Sequence, residues 1–387
     1  MYCDYAATTP LADCIKDNIG EILEKFGNPS STYSLGDETR MIVETTRQRA
    51  KKFINAPEDS IVVFTPSGSG SNTLAVEGYL YSRFTRMYYS PLLHKSLNKC
   101  KDYFLDAVGV KLEVNPKGFI DLIEFKNKIE KNYLSGRGRN QECDCPLLVI
   151  EYANSEIGTL QVVKEAIKLI HSVNGIAYVD CTGAIASIPI DVQDLGADMI
   201  GFSAHKLGAL KGCGVLWMRK NFYLKPLVYG AQENGLVGGT ENVLGIWALG
   251  KVLANYEYHA LAPEIRRSIF KRIERNGWHL IGSERRRLPN NFYFSIPTVD
   301  ATELMTRLDL YEDIQVSTGS ACSSGSREPS STLVAINCPK EWLHSCIRVT
   351  FSGKETVEEV NGVFDAIERT VAKMEGETHE EMYDAFS

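Results

Sequence analysis

Short apolar runs alternate along this chain with segments whose apolar residues recur at helical spacing. Ile61-Val62-Val63-Phe64-Thr65, Pro146-Leu147-Leu148-Val149-Ile150-Glu151-Tyr152, Ile176-Ala177-Tyr178-Val179-Asp180 and Met199-Ile200-Gly201-Phe202-Ser203 are almost continuously apolar and of strand length. Met87-Tyr88-Tyr89-Ser90, Leu112-Glu113-Val114 and Val215-Leu216-Trp217-Met218 are shorter candidates. Between them the period changes. Ile15, Ile19, Ile22, Leu23 and Phe26 share one helical face, and further helices are predicted over 35–54, 73–84, 121–132 and 163–173, with another starting at 92–97. Strands that are apolar throughout are buried on both faces. The alternation therefore predicts an α/β fold, with a mainly parallel sheet covered by helices on both sides.

Gly27-Asn28-Pro29-Ser30-Ser31 breaks the first helical pattern. A long helical region over 243–276 is expected to bridge into a smaller α+β domain, which opens with the alternating strand Asn291-Phe292-Tyr293-Phe294-Ser295-Ile296. Residues 12–250 are assigned to the large domain, and residues 1–11 with 251–387 to the small one. No internal repeat is evident.

Composition narrows the class. A hydrophobic fraction of 44% and a charged fraction of 24% are those of a globular protein. The net charge of −7 argues against direct nucleic-acid binding. No apolar run is long enough to cross a bilayer, and Met1-Tyr2-Cys3-Asp4-Tyr5 lacks the pattern of a secretory signal, so a cytoplasmic protein without membrane attachment is expected. Ten cysteines in 387 residues form no dense disulfide framework. Cys143-Asp144-Cys145 has no second half and reads as a surface loop, so no metal site is expected.

The chemistry gathers at the strand ends. Asp180 and Lys206 each follow a buried run and would emerge at the carboxyl edge of the sheet, where open α/β sheets bind ligands. Pyridoxal phosphate needs a lysine for its aldehyde carbon and an acidic partner for its ring nitrogen. Alone, Lys206 reads as a surface lysine; the pair gains force from its surroundings. Pro66-Ser67-Gly68-Ser69-Gly70-Ser71-Asn72 joins a strand to a helix and can hold a phosphate with backbone N–H groups, hydroxyls and the helix N-terminus. His94 and Asn154 also fall just past strand ends, where an imidazole can stack on an aromatic cofactor. The segment from Val316 to Ser331 has almost no large apolar side chain, so about 317–331 is expected to be an adaptable exposed loop carrying Cys322 as an accessible thiol. Arg348, in Cys346-Ile347-Arg348-Val349-Thr350, suits a substrate carboxylate.

Together these residues resemble the cysteine desulfurases of the NifS/IscS type, in the class V aminotransferase group of fold type I pyridoxal phosphate enzymes. The matching pieces are D-Y-A-A-T-T-P (4–10), G-N-P-S-S (27–31), the 67–72 loop, N-S-E-I-G (154–158), F-S-A-H-K (202–206), G-S-A-C-S-S (319–324), E-P-S (328–330) and H-S-C-I-R (344–348). The resemblance implies that Lys206 holds the cofactor and moves the α-proton, Asp180 pairs with the ring nitrogen, and His94 stacks on the ring. It implies Gly68, Ser69, Ser203 and His205 as phosphate ligands, with Thr240 completing the phosphate site of a homodimeric partner. Asn154 would lie near the cofactor's phenolic oxygen and the substrate, and Arg348 would clamp the carboxylate of L-cysteine. Cys322 would take the sulfur as a persulfide, releasing L-alanine, and pass it to an acceptor protein. Relatives serve iron–sulfur cluster assembly, tRNA thiolation and DNA phosphorothioation.

The chain departs from that pattern at three places. Gly183 stands where the family usually has glutamine, Asn234 and Val237 stand where it has arginines, and Ser69 replaces a threonine. A cysteine desulfurase is the leading expectation. A pyridoxal phosphate lyase of the selenocysteine lyase type, and a weakly active paralogue acting as a binding scaffold, are the alternatives.

Overall fold

The computed structural model of the chain describes residues 1–82, 85–98, 109–134, 145–319 and 329–384, with side chains described for all of these except 134 and 378–384. Its central sheet has seven strands: β1 (Ile61–Thr65), β2 (Met87–Tyr89), β3 (Gly109–Lys111), β4 (Leu147–Glu151), β5 (Ile176–Asp180), β6 (Met199–Ser203) and β7 (Gly214–Met218), in the order β1-β7-β6-β5-β4-β2-β3. Strands β3, β2, β4, β5 and β6 run parallel, and β7 is antiparallel to both β6 and β1. The sheet is thus mainly parallel, with β7 reversed.

Every residue of β4, β5, β6 and β7 is buried, as continuous apolar runs require. Successive residues point to opposite faces. Leu148, Ile150, Val179, Ile200 and Phe202 pack with Ile167 and Ile170 of the helix Val163–His171 and with Ile246 and Leu249 of the helix Val243–Ala254. Leu147, Val149, Tyr178 and Met199 pack on the other face with Leu74, Val76 and Tyr79 of the helix Gly68–Ser82.

A second core surrounds an antiparallel three-stranded sheet, β10 (Cys346–Thr350), β9 (Asn291–Ser295) and β8 (His279–Leu280), in that order. Phe292, Phe294, Ile347 and Val349 pack there against the helices Pro263–Arg275, Ala301–Glu312 and Val357–Asp384. The N-terminus joins this core: Asp4 bridges to Thr350 and Tyr2 to Gln315. Among the described residues no helix is long and apolar enough to cross a membrane.

Four elements differ from expectation. The candidate strand at 112–114 falls just past β3, which spans Gly109–Lys111. The first helical pattern is two short helices, Asp13–Lys16 and Ile19–Leu23, because Asn18 leaves the helical conformation and its amide donates to the Cys14 carbonyl at 2.9 Å. The helix expected from Thr73 begins at Gly68, inside the Gly/Ser segment. The long helix over 243–276 is split into Val243–Ala254 and Pro263–Arg275. Proline has no N–H to donate and is at home only in a first helical turn. Strand β9 is buried at all five positions, so its alternation separates two covered faces. The stretch 320–328, which includes Cys322, lies outside the described residues, as does Cys143.

Phe202 is fully buried next to the strand end that carries Ser203. Phe202→Ala is expected to lower stability by about 3–5 kcal/mol in urea unfolding; a loss below about 1 kcal/mol would contradict the packing described.

Candidate active site

Strand register decides where the polar residues meet. Glu151 on β4 pairs with Asp180 on β5, Ser203 on β6 pairs with Gly214 on β7, and Gly214 pairs with Thr65 on β1. The carboxyl ends of β4, β5, β6 and β1 therefore form one edge of the sheet. A cavity of about 500 Å³ opens there. Its wall includes Gly68, Ser69, His94 and Asn154, together with Asp180, Ser203, His205, Lys206 and Arg348. Among the site residues read from sequence, Thr240 does not line this cavity and is exposed on its own chain, and Cys322 lies outside the described residues.

At the anion end, the helix Gly68–Ser82 starts directly on the cavity, so the free N–H groups and positive dipole end of its first turn face the space. A Cβ at Gly68 would lie 3.1 Å from the Ser203 Cβ and 3.2 Å from Thr182 Oγ1, which is why a residue without one sits here. Thr182 Oγ1 is buried and has no partner among the described residues. His205 follows in a 3-10 turn (Ala204–Leu207) whose geometry also presents Lys206. Its Nδ1 is 2.9 Å from Thr8 Oγ1, and its pKa falls to about 4 because burial and the charges of Lys206 and Lys211 disfavour the imidazolium. His205 is thus a neutral ring at physiological pH.

Lys206 Nζ donates to the Ala7 carbonyl at 2.7 Å and to the Ala6 carbonyl, so the N-terminal D-Y-A-A-T-T-P segment forms the bed of the amine. Asp180 accepts from Asn72 Nδ2 at 3.0 Å on one oxygen and from the Thr182 N–H at 2.9 Å on the other. Asn72 also donates to Ser96 Oγ at 3.0 Å, and Ser96 Oγ is 2.9 Å from His94 Nδ1. A single hydrogen-bonded chain therefore connects His94 to Asp180. Asn154 is buried, and its amide serves the loop: it donates to the Leu92 carbonyl at 3.1 Å and accepts from the Glu156 and Ile157 N–H groups.

Arg348, 2% exposed on β10, comes from the three-stranded sheet. It donates to Asp4 Oδ1 at 2.6 Å, to the Ser155 carbonyl at 3.1 Å and to the Gly319 carbonyl at 3.2 Å, while its Nε has no partner among the described residues. Gly319 has φ +92°, and a Cβ there would sit 2.9 Å from the Tyr293 hydroxyl. Arg348 thus touches the residue immediately before the segment that carries Cys322.

Several residues of this site were not singled out from sequence. Asn72, Ser96, Thr182 and Asp4 are ordinary polar residues whose roles depend on distant partners. Glu151 did carry a signal, since it ends an apolar strand just as Asp180 does. Gly183 has a steric cause: a Cβ there would lie 2.6 Å from the Ala153 carbonyl oxygen.

A lysine amine beside a strand-edge cavity, with an anion cradle at one end and a carboxylate at the other, marks an α/β enzyme of the aminotransferase type. The family profile described as Aminotransferase class-V matches residues 1–363, and the chain belongs to that family, whose members use pyridoxal phosphate. The anion cradle with neutral His205, the Thr182 hydroxyl that has no partner among the described residues, and the cavity volume fit that group. The chain is 37% identical over 391 residues to a cysteine desulfurase IscS of Dictyoglomus turgidum, covering 97% of this chain and 95% of that protein. It is 29% identical to the cysteine desulfurase NifS of Azotobacter vinelandii, covering 97% and 93%. The solved structure of a NifS-like protein from Rickettsia africae superposes with a TM-score of 0.82 at 25% identity, covering 96% of this chain and 99% of that one.

Two outcomes follow. In the cofactor-free protein His205 stays neutral down to about pH 4, whereas the unfolded chain takes a proton near the ordinary pH 6.5. Stability should therefore fall as pH drops through that window, and His205→Gln should flatten this limb of a thermal-midpoint profile; an unchanged slope would contradict the assignment. Gly183→Gln, which restores the family's usual side chain, is expected to cost about 1–3 kcal/mol by displacing the Ala153 carbonyl. Tighter cofactor binding at undiminished thermal stability would contradict that.

Proposed function

We propose that this chain is a cysteine desulfurase that binds pyridoxal 5'-phosphate at Lys206 and converts L-cysteine to L-alanine, carrying the sulfur as a persulfide on Cys322. The observation that carries the reading is the convergence of the Lys206 amine, Asp180, His94 and Arg348 on one cavity whose rim ends at Gly319, next to the Cys322 segment. Full-length similarity to cysteine desulfurases supports the same substrate.

The roles follow from placement. The first turn of the helix from Gly68, with Ser69, Ser203 and neutral His205, would receive the cofactor phosphate as hydrogen-bond donors. Asp180, held by Asn72 and Thr182, would face the ring nitrogen, and His94, held through Ser96, would cover the ring. Bound there, pyridoxal phosphate supplies an electron sink for the carbanion formed at the substrate α-carbon. Lys206 gives up its contacts with Ala6 and Ala7 and shuttles the α-proton. Arg348 orients the substrate carboxylate, with Asn154 shaping the wall beside it. The Cys322 thiolate then attacks the substrate sulfur. The carbon–sulfur bond breaks, a sulfur–sulfur bond forms, and the β-carbon takes a proton, so L-cysteine and a thiol give L-alanine and a persulfide.

Handing the sulfur to an acceptor protein requires the Cys322 segment to move away from the cavity. Because Arg348 holds the Gly319 carbonyl, a carboxylate arriving at Arg348 competes for the same guanidinium and loosens that root. We read the enzyme as a cytoplasmic homodimer. Exposed Thr240 would reach the partner's phosphate site, and the exposed Leu23, Phe26 and Met41 supply apolar surface to cover. The large domain over 12–250 holds the cofactor, and the small domain contributes Arg348 and the cysteine segment.

Cys322→Ala is expected to reduce sulfide release from L-cysteine under a thiol reductant by at least about 10²-fold, while pyridoxal phosphate uptake is unchanged. Undiminished sulfide release would rule out the persulfide route.

A further inference from the structure

Glu151 is the last residue of β4, 4% exposed, and follows four apolar residues of that strand. In the parallel register it is the direct neighbour of Asp180, so the two side chains leave the sheet on the same side, at the same cavity. Two carboxyl groups at one buried edge do not both ionise without cost. Their surroundings divide the charge. Asp180 has a donor on each oxygen. Glu151 has both of its side-chain donors on one oxygen: Ser90 Oγ at 3.1 Å and Gln161 Nε2 at 3.2 Å, both to Oε1. Ser90 Oγ itself accepts from the Leu92 N–H, which fixes its own proton toward Glu151. Glu151 Oε2 has no partner among the described residues.

Burial raises the Glu151 pKa to about 7, and the charge of Asp180 adds to the shift against three opposing hydrogen bonds, from its own backbone N–H, Ser90 and Gln161. A protonated carboxyl has one donor, and here Oε1 is taken up by donors, so the proton belongs on Oε2, where the described residues offer no acceptor. The other ionisable groups of the cavity are His94 and Lys95 after β2, Glu156 after β4, His205, Lys206 and Lys211 after β6, and Arg348 on β10. Asp180 is the charged neighbour that adds to the Glu151 shift.

The geometry points to Glu151 as a proton-bearing positioning residue of the cofactor site, which offers one hydrogen-bond donor to the bound cofactor and leaves Asp180 as the charged member of the β4–β5 pair. This rests on the reading that the cavity binds pyridoxal phosphate. An ionised Glu151 has no proton to donate and sets a second negative charge beside Asp180, so its contribution is lost as pH rises through its pKa.

The test is binding of pyridoxal phosphate to the full-length apoprotein, followed by absorbance, for wild type, Glu151→Gln and Glu151→Met. Glutamine is neutral and keeps a donor; methionine has similar length and none. Near pH 6, wild type and Glu151→Gln should bind within about threefold of each other, and Glu151→Met about tenfold more weakly. Between about pH 6 and about pH 8.5 the wild type should weaken about tenfold relative to Glu151→Gln, while the ratio of the two variants stays constant because the cofactor's own titrations cancel. An infrared difference spectrum of wild type against Glu151→Gln should show a carboxylic acid carbonyl band near the lower pH that is gone at the higher. A wild-type to Glu151→Gln ratio independent of pH, methionine binding as tightly as glutamine, or no acid band would each overturn the proposal. Absence of cofactor uptake by wild type at every pH would overturn it together with the cofactor reading. The expected ratios without sulfide release from L-cysteine would leave the Glu151 role standing and remove only the desulfurase reading.

Discussion

The parallel register of β4, β5 and β6 is the constraint on which the site depends. It brings Glu151 beside Asp180 and Asp180 beside Gly201, two residues short of the strand end that leads into His205 and Lys206. A slip of one residue in β5 would turn Asp180 to the opposite face and exchange two packed cores at once, since Val179 belongs to one and Tyr178 to the other. The burial of apolar surface on both faces of the sheet therefore fixes the chemistry at its edge. The reversed strand β7 ties β1 into the same edge through Gly214, so the helix that starts at Gly68 points its N-terminus at the same cavity as the lysine.

A second constraint joins the two cores. Arg348 sits in the small sheet but donates to Ser155 and Gly319 and pairs with Asp4 from the N-terminal segment. The same N-terminal segment supplies the carbonyls under Lys206 and the Thr8 hydroxyl on His205. The first ten residues thus act as a brace between the amine, the anion cradle and the guanidinium. Asp4 accepts a buried charge that would otherwise be unpaired, which makes this contact costly to break.

Much of this was legible in the sequence because apolar runs of strand length end abruptly in Asp180, Ser203 and Thr65, and ligands bind where such runs end. Helix boundaries were less legible. Glycine and serine are poor residues for a helix interior, so the pattern alone starts the phosphate-end helix at Thr73; close approach of Gly68 to Ser203 lets it begin earlier. The break between Ala254 and Pro263 was visible as a proline but outweighed by the apolar spacing around it. Glu151 was hidden because its strand was read for the loop beyond it, ending in Asn154. The Arg348–Asp4 pair spans nearly the whole chain, and no local pattern reports such a partner. Gly183 looked like a lost side chain from the sequence; the Ala153 carbonyl supplies a steric reason for its absence.

The proposed chemistry depends on the Lys206 amine as the group that would hold the cofactor's aldehyde carbon. Borohydride reduction of the cofactor-loaded protein, followed by peptide mapping, tests it most directly. A pyridoxyl label confined to the peptide that contains Lys206 is expected. A label on another lysine, or none on a protein that retains the cofactor, would contradict it.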